Sequence, residues 1–209
     1  RVAMRRLSRR PGFSLAAVAT IAIAIAAAIA RGAFVDAVLL RDPEVGHPET
    51  LVRIYMGDSY GNAYGAGSWA DISDLRDGVQ ALGGIVGYGT VVQTASWDGE
   101  PGMQVTGAYA SGDFFAILEV PLTLGAGVIS EGQSNGIVLE RDFWETAFGG
   151  RRDILGTDFR LGDTAYPIIG VAGVGFSGLE PGIRHRFWLL SAPRTFDAPT
   201  KQRAQRFLR

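Results

Sequence analysis

The longest apolar stretch lies near the start of the chain, at residues 13–30, where eighteen consecutive residues carry no charge. A helix rises about 1.5 Å per residue, so this stretch would extend roughly 27 Å, close to the thickness of a bilayer's hydrocarbon core. Seven of its residues are large and apolar and nine are alanine, so membrane insertion is favoured by only about 3 kcal/mol. Apolar residues continue to residue 40. The pattern predicts a weakly hydrophobic transmembrane helix with an extension beyond the membrane, over residues 13–40.

Beyond residue 40 the apolar positions form short runs between glycine-rich turns. Helical spacing predicts helices over residues 68–79, 113–118 and 141–148. Extended runs predict strands over residues 51–56, 82–88, 91–97, 103–110, 137–139, 157–161, 165–171 and 187–190. Asp98-Gly99 and Gly162-Asp163 indicate hairpin turns. Because helices and hairpins interleave without regular βαβ spacing, the fold class expected is α+β: a transmembrane helix followed by a mixed domain of hairpins and short helices.

Four aromatic residues are expected to anchor the core of that domain. They lie inside apolar segments and are Trp69, Phe115, Trp144 and Trp188. A further tryptophan, Trp97, is also placed in an apolar segment, but it adjoins a turn, which leaves an exposed position open.

The charges around the long apolar stretch predict its orientation. Arginines precede it and the first acidic residue is Asp36. Under the positive-inside rule, residues 1–12 form a cytoplasmic segment and the chain beyond Arg31 is exported across the membrane. Arg31 ends the stretch and can extend its charge to the membrane surface. The expected determinants of topology are Arg5, Arg6, Arg9, Arg10 and Arg31.

A cleaved signal peptide is the alternative for the same segment. It would have a basic start, an apolar centre and the small residues Ala26, Ala28 and Ala30 ahead of the cleavage site. The apolar run is longer than the usual 7–15 residues of such a peptide, which favours a retained anchor. Under the alternative, the chain is a secreted or periplasmic ligand-binding module.

Composition narrows the function classes. Formal net charge is −1, but the six arginines of residues 1–31 leave 14 basic and 21 acidic residues in the remainder. An acidic exported domain gives no support for nucleic-acid binding. Cysteine is absent, so disulfides and thiolate metal sites are excluded.

No sequence motif indicates catalysis, a cofactor or a metal. The only lysine, Lys201, lies outside any glycine-rich loop, so a phosphate-binding loop for ATP is excluded. Ser68 and Ser177 lie outside any Gly-x-Ser-x-Gly pattern; the one at residues 57–61 falls in the expected glycine-rich loop and not directly at a strand-to-helix turn, where hydrolases place it. His185 lies between Arg184 and Arg186, whose charges disfavour a metal cation, and we expect it at the surface. An exported enzyme is therefore the weakest of the three classes considered.

A series of segments resembles a known family, in order, from about residue 5 to residue 192. The entry to the apolar helix has Arg9-Arg10-Pro11-Gly12-Phe13, and its exit has the run at 36–41. Further matching segments are 68–71, 75–76, 105–115, 118–120, 143–144, 148–150, 154–156, 166–171, 175–176 and 187–190. Together they resemble the FtsX-like permeases of the macrolide-exporter (MacB) type of ABC transporter, and most of all the acidobacterial duplicated orphan permeases.

The sequence departs from that family at several positions. The first helix has alanines where the family usually has Gly and Asn, Arg31 replaces an apolar residue, and Glu119 replaces a glycine.

The resemblance implies a division of the chain and a set of partners. Residues 41–193 would be a MacB-like periplasmic core domain, and residues 194–209 a truncated continuation or linker. The chain would be the amino-terminal part of a longer, non-catalytic permease. A separate cytoplasmic ABC ATPase would drive it, with motion relayed across the membrane for efflux or export. A homodimer or pseudo-dimer, embedded in membrane lipids, is implied as well.

Overall fold

The protein is described by a computed structural model over residues 11–35, 44–55, 69–79, 81–129 and 133–191. The chain divides into two compact units, Arg1–Asp42 and Pro43–Arg209.

The first unit contains one described helix, α1, at Pro11–Val35. Proline suits the first helical position, where its missing N–H would have no intrahelical partner. The large apolar side chains of α1 from Val18 to Ile29 are more than half exposed. Residues 36–40, the expected extension, lie outside the described residues. Among the described residues, no helix is long and apolar enough to cross a membrane.

The second unit combines short helices with strands in its described part. The helices are α2 (Trp69–Gly78), α3 (Phe114–Ile117) and α4 (Arg141–Ala147), with 3₁₀ turns at Pro48–Thr50 and Arg152–Ile154. The strands are β1 (Tyr88–Trp97), β2 (Met103–Ser111), β3 (Leu122–Gly125), β4 (Asn135–Leu139), β5 (Asp158–Leu161), β6 (Thr164–Ala172) and β7 (Phe187–Ser191).

The described strands form one mixed sheet that closes on itself. The order is β3-β6-β4-β7-β2-β1-β5, and β5 also pairs with β6. The pairs β2–β7 and β4–β6 are parallel, and the others are antiparallel. Strands β6, β4, β7, β2, β1 and β5 therefore make a complete circuit, with β3 added along β6.

Both expected hairpins are present. The β1–β2 connection, residues 98–102, begins with a tight turn: Asp98 and Gly99 have φ values of 47° and 80°, as in type I′, and the Glu100 N–H donates to the Trp97 carbonyl at 2.8 Å. Gly162, with φ 58°, begins the turn between β5 and β6. Glycine adopts this left-handed backbone without the steric cost that a side chain imposes.

The core lies on both faces of the sheet. Because side chains alternate along a strand, Ile137 and Leu139 of β4 join one buried cluster, while Val138 joins the other. The first cluster includes Trp97, which stacks on Phe159 with a centroid distance of 5.7 Å. The second includes α3 and the loop between β6 and β7. Strands β4 and β7 are thus covered on both faces.

Some sequence predictions were wrong in detail. Residues 51–55 of the expected strand 51–56 are exposed and form no strand. Arg53 in this segment donates hydrogen bonds to the Tyr88 hydroxyl and the Leu179 carbonyl, both at 3.1 Å. Within the expected strand 82–88, only Tyr88 belongs to a strand. Strand β3 was not predicted.

Candidate functional site

The residues expected to anchor the core are placed as follows. Phe115 packs edge-on against Trp188 at 5.4 Å, and both are buried. Trp144 is buried and donates its indole N–H to the Arg151 carbonyl at 2.8 Å. Trp69 begins α2, but its side chain is not described. Trp97, for which exposure had been left open, is buried.

The expected topology determinants fall mostly outside the described part. Arg5, Arg6, Arg9 and Arg10 all precede the first described residue, and Arg31 is exposed on the last turns of α1. Nothing in the described contacts tests their role.

Two polar clusters occupy the region where the chain enters β7, and sequence reasoning did not find either. The first, the Glu140 cluster, consists of Glu140, Asp142, Arg184 and Arg186. The Glu140 side chain is only 2% exposed. Arg184 Nε donates to its Oε1 at 3.1 Å, and Arg186 Nη1 donates to its Oε2 at 2.7 Å.

The Glu140 cluster joins three elements. Glu140 directly precedes α4, and its backbone N–H donates to the Arg186 carbonyl at 2.9 Å. The Arg186 N–H in turn donates to the Thr106 carbonyl of β2 at 2.7 Å. Arg184 also pairs with Asp142 in the first turn of α4 and has its pKa raised further by these carboxylates. The cluster therefore locks the start of β7 between β2 and α4.

The second cluster, the His185 cluster, consists of Tyr88, Thr90, Ser177, Glu180 and His185. His185 is fully buried. Its Nδ1 lies 3.2 Å from the Ser177 carbonyl oxygen, and its Nε2 lies 2.8 Å from the Thr90 hydroxyl. The same hydroxyl lies 2.8 Å from Glu180 Oε2.

The surface position expected for His185 was wrong. The flanking arginines suggested a solvated segment, but both of them turn to the single carboxylate of Glu140. The intervening imidazole then points inward. Burial lowers the pKa of His185 and is the largest effect. The hydrogen bond to Ser177 and the charges of Glu180 and Glu140 act in the opposite direction and raise the pKa. Burial, together with the charge of Glu180, raises the pKa of Tyr88.

The Thr90–His185 pair has the separation of a nucleophile and its general base, but not their proton arrangement. A general base must accept the hydroxyl proton. Thr90 has one such proton, and its oxygen is equally close to a carboxylate that competes for it. The cluster is thus arranged to hold a proton between His185 and Glu180. This arrangement does not activate the Thr90 hydroxyl as a nucleophile.

The described residues offer no other chemical centre. They contain no group of three or more potential metal-ligating side chains. A cleft of about 220 Å³ is lined by three residues of β6 and by Ala126, Val128, Gln133, Leu155 and Gly156. Asp74 and Asp77 of α2 are exposed.

Comparison with known proteins gives a consistent result. The sequence matches the family described as "MacB-like periplasmic core domain" over residues 14–205. A comparison with curated proteins found no significant match.

Two solved structures share the fold. The periplasmic region of MacB from Actinobacillus actinomycetemcomitans superposes with a TM-score of 0.51 at 13% identity, covering 70% of this chain and 66% of that one. The extracellular domain of the noncanonic ABC-type transporter YknZ from Gram-positive bacteria gives a TM-score of 0.50 at 16% identity, covering 71% of this chain and 75% of that one. The present chain therefore spans just under two thirds of the MacB region and three quarters of the YknZ domain.

Proposed function

The chain belongs to the family of MacB-like periplasmic core domains, and from this we propose that it is the anchor and periplasmic core of a permease in a MacB-type ABC transporter. The permease itself is non-catalytic. A separate cytoplasmic ABC ATPase supplies the energy, and two permease copies, or a permease and its duplicate, work together in the bacterial inner membrane.

The proposal depends on one observation: the same chain contains an apolar helix preceded by arginines and a domain that matches the family. The family match begins at residue 14, inside α1. Large apolar side chains of α1 are exposed, including Ile21, Ile23 and Ile25. An exposed apolar helix needs a covering, and a lipid bilayer or neighbouring apolar helices supply one. The preceding arginines favour a cytoplasmic start.

The polar clusters of the core agree with a mechanical role. In the Glu140 cluster, both oxygens of the buried Glu140 carboxylate accept hydrogen bonds from arginine side chains. The His185 cluster is arranged to retain a proton. We propose that the closed sheet acts as a stiff body that moves in response to ATP hydrolysis in the partner and promotes efflux or export.

Alkaline extraction of membranes, combined with mass spectrometry of the mature amino terminus, tests the anchor. We expect the full chain to stay in the membrane fraction with residues 1–12 intact. A mature terminus near Ala30, together with release into the aqueous fraction, would instead support the secreted ligand-binding module.

Charge variants extend the test to orientation. Replacing Arg5, Arg6, Arg9 and Arg10 by glutamine should produce mixed or reversed topology, because the positive-inside signal is lost. A matched control replaces four basic residues near the other end of the sequence, namely Lys201, Arg203, Arg206 and Arg209. The control should keep the original orientation; equal effects of the two variants would argue against the proposed determinants.

A further inference from the structure

The hydrogen bonds of the His185 cluster require one more proton than its ordinary ionisation states supply. A carbonyl oxygen only accepts, so the contact between Ser177 O and His185 Nδ1, at 3.2 Å, requires a proton on Nδ1. A neutral imidazole then has a bare Nε2, which takes the Thr90 hydroxyl proton.

The third contact is left unsatisfied in that state. Thr90 Oγ1 and Glu180 Oε2 are 2.8 Å apart, and without a proton between them they are two acceptors facing each other. A proton on Nε2 resolves the conflict, because His185 then donates to Thr90 and Thr90 donates to Glu180. A proton on the carboxylate resolves it as well. In both cases the observed geometry holds one additional proton, and we assign it to the imidazole, which ordinarily binds a proton at higher pH than a carboxylate does.

We propose that His185, Thr90 and Glu180 form a proton-binding clamp that fastens the β6–β7 loop, residues 173–186, to strand β1. With the proton bound, all three contacts are hydrogen bonds. When the proton leaves, Thr90 donates to His185 alone and the half-buried Glu180 loses this contact with β1, while its hydrogen bond with Tyr88 remains. The direction of the Thr90 hydroxyl thus reports whether the loop is fastened.

The aromatic and charged groups around His185 set the pH range in which the clamp closes. From β1, Tyr88 faces the imidazole with a centroid distance of 6.4 Å, and from β7, Trp188 faces it at 6.1 Å. Glu180 in the loop and Glu140 before α4 favour the charged imidazole, whereas burial disfavours it and has the larger effect. Arg184 and Arg186 on either side are bound to Glu140. The pKa of His185 is therefore low, and the clamp closes on the acidic side of ordinary histidine titration.

The loop is built to accept the imidazole. Gly178 has φ 125°, and a Cβ atom added there would lie 2.1 Å from His185 Nδ1. Glycine at this position therefore leaves the space that the ring occupies. The backbone N–H of His185 also donates to the Ser177 carbonyl at 2.9 Å, so both His185 donors on this side converge on one oxygen.

The clamp can be tested by ¹⁵N NMR of the histidine-labelled full chain in detergent, since the sequence has only two histidines. A His47→Gln variant assigns the His185 signals. At high pH we expect a proton on Nδ1 and a bare Nε2, and at low pH protons on both nitrogens. A bare Nδ1 at high pH, or an imidazole that never titrates in the folded chain, would overturn the proposal.

A carboxamide at position 180 provides the decisive comparison. The Glu180→Gln side chain can donate to or accept from Thr90, so it bridges in both states but carries no charge. We expect the His185 titration midpoint to move to lower pH, while Glu100→Gln in the β1–β2 turn leaves it in place. An unchanged midpoint in Glu180→Gln would contradict the clamp.

Amide hydrogen exchange follows the loop itself. In the unmodified chain, the Ile183 and His185 amides should gain several-fold protection, beyond the intrinsic pH effect on exchange, as the pH falls through the His185 midpoint. The Glu180→Gln variant should lose this step. Identical pH dependence in both proteins would show that the cluster does not control the loop. This inference concerns the core domain alone and is independent of the proposed transport role.

Discussion

Glu140 is a carboxylate that the sequence alone would place in solvent. It follows a buried strand and directly precedes a helix, and its side chain is nearly inaccessible. Burying a carboxylate costs several kcal/mol unless charged donors compensate for lost water. The two arginines that compensate are themselves 56% and 39% exposed, so their own desolvation is modest.

Replacing Glu140 by alanine should therefore destabilise the core domain by about 2–3 kcal/mol, because two charge-assisted hydrogen-bonded pairs are lost and a buried space opens. The arginines can regain water, which limits the loss. Urea unfolding followed by tryptophan fluorescence measures the effect.

A matched control is available one helical turn later. Glu145 pairs with Arg141 at 2.9 Å on the surface of α4, and Glu145→Ala should cost about 0.5 kcal/mol. Equal losses for the two variants would show that the Glu140 cluster has no special role in stability.

The pH dependence of stability should carry a contribution from His185. Burial lowers its folded pKa below the value of about 6.5 of an unfolded chain, so the unfolded state binds the proton first. The free energy of unfolding contributed by His185 is then complete above that pH and falls as the pH decreases toward the folded pKa. Closing the clamp offsets only part of this loss.

Urea unfolding at a series of pH values from 8 to 5 tests the sign. The His185→Gln variant should show a smaller decrease in unfolding free energy on acidification than the unmodified chain. His47→Gln, which changes the exposed histidine, should behave like the unmodified chain. A steeper decrease in His185→Gln would reverse the assigned sign.

Glu119 occupies a backbone conformation that suits glycine. It follows α3 with φ 53°. Its N–H donates to Ala116 O at 3.2 Å, and the next N–H, of Val120, donates to Phe115 O at 3.0 Å. This is the Schellman arrangement that ends many helices with glycine. The resembling family has glycine here, so this departure has a local energetic cost.

Glu119→Gly should raise the free energy of unfolding by about 0.5–1 kcal/mol, because it relieves the left-handed strain. The weak pairing of the Glu119 carboxylate with His47 at 3.7 Å, with both side chains exposed, contributes little. Glu100→Gly, at a residue without positive φ, should lower stability by a similar amount. A loss in Glu119→Gly would show that strain is not relieved there.

Among the elements, those with local signals were predictable. The two hairpins have Asp-Gly and Gly-Asp turns between β-rich runs, and α4 ends before two glycines with φ 65° and 68°. Strand β3 lacked such a signal, because its four residues precede a glycine-rich loop and its pairing with β6 is non-local. Residues 51–55 had strand composition, but composition does not supply a partner strand.

Helix α1 is the element on which the proposed anchor depends. A lysine near its centre costs about 2.5–3.5 kcal/mol of insertion free energy, as much as the apolar stretch supplies. Ile23→Lys should therefore release a large fraction of the chain from membranes after alkaline washing. Val92→Lys, at an exposed position of β1, is the matched control and should remain membrane-bound. Full retention of Ile23→Lys would argue against insertion of α1.

For the whole molecule, the sequence supports the mixed class but not the closed sheet. Closure depends on β5 pairing with both β1 and β6, and on the parallel contact between β2 and β7, which are about 80 residues apart. No local pattern encodes such pairings. The two polar clusters escaped prediction for the same reason, since Glu140 meets Arg184, and Thr90 meets His185, only after the sheet has formed.

Labelling of single introduced cysteines tests most directly whether the core domain is exported while residues 1–12 stay in the cytoplasm. The chain has no cysteine of its own, so Ser8→Cys and Asp163→Cys, the second in the exposed β5–β6 turn, can each be probed with a membrane-impermeant maleimide in intact spheroplasts. We predict that Asp163→Cys reacts at once and that Ser8→Cys reacts only after lysis. Protection of Asp163→Cys, or reaction of Ser8→Cys before lysis, would contradict the proposed function.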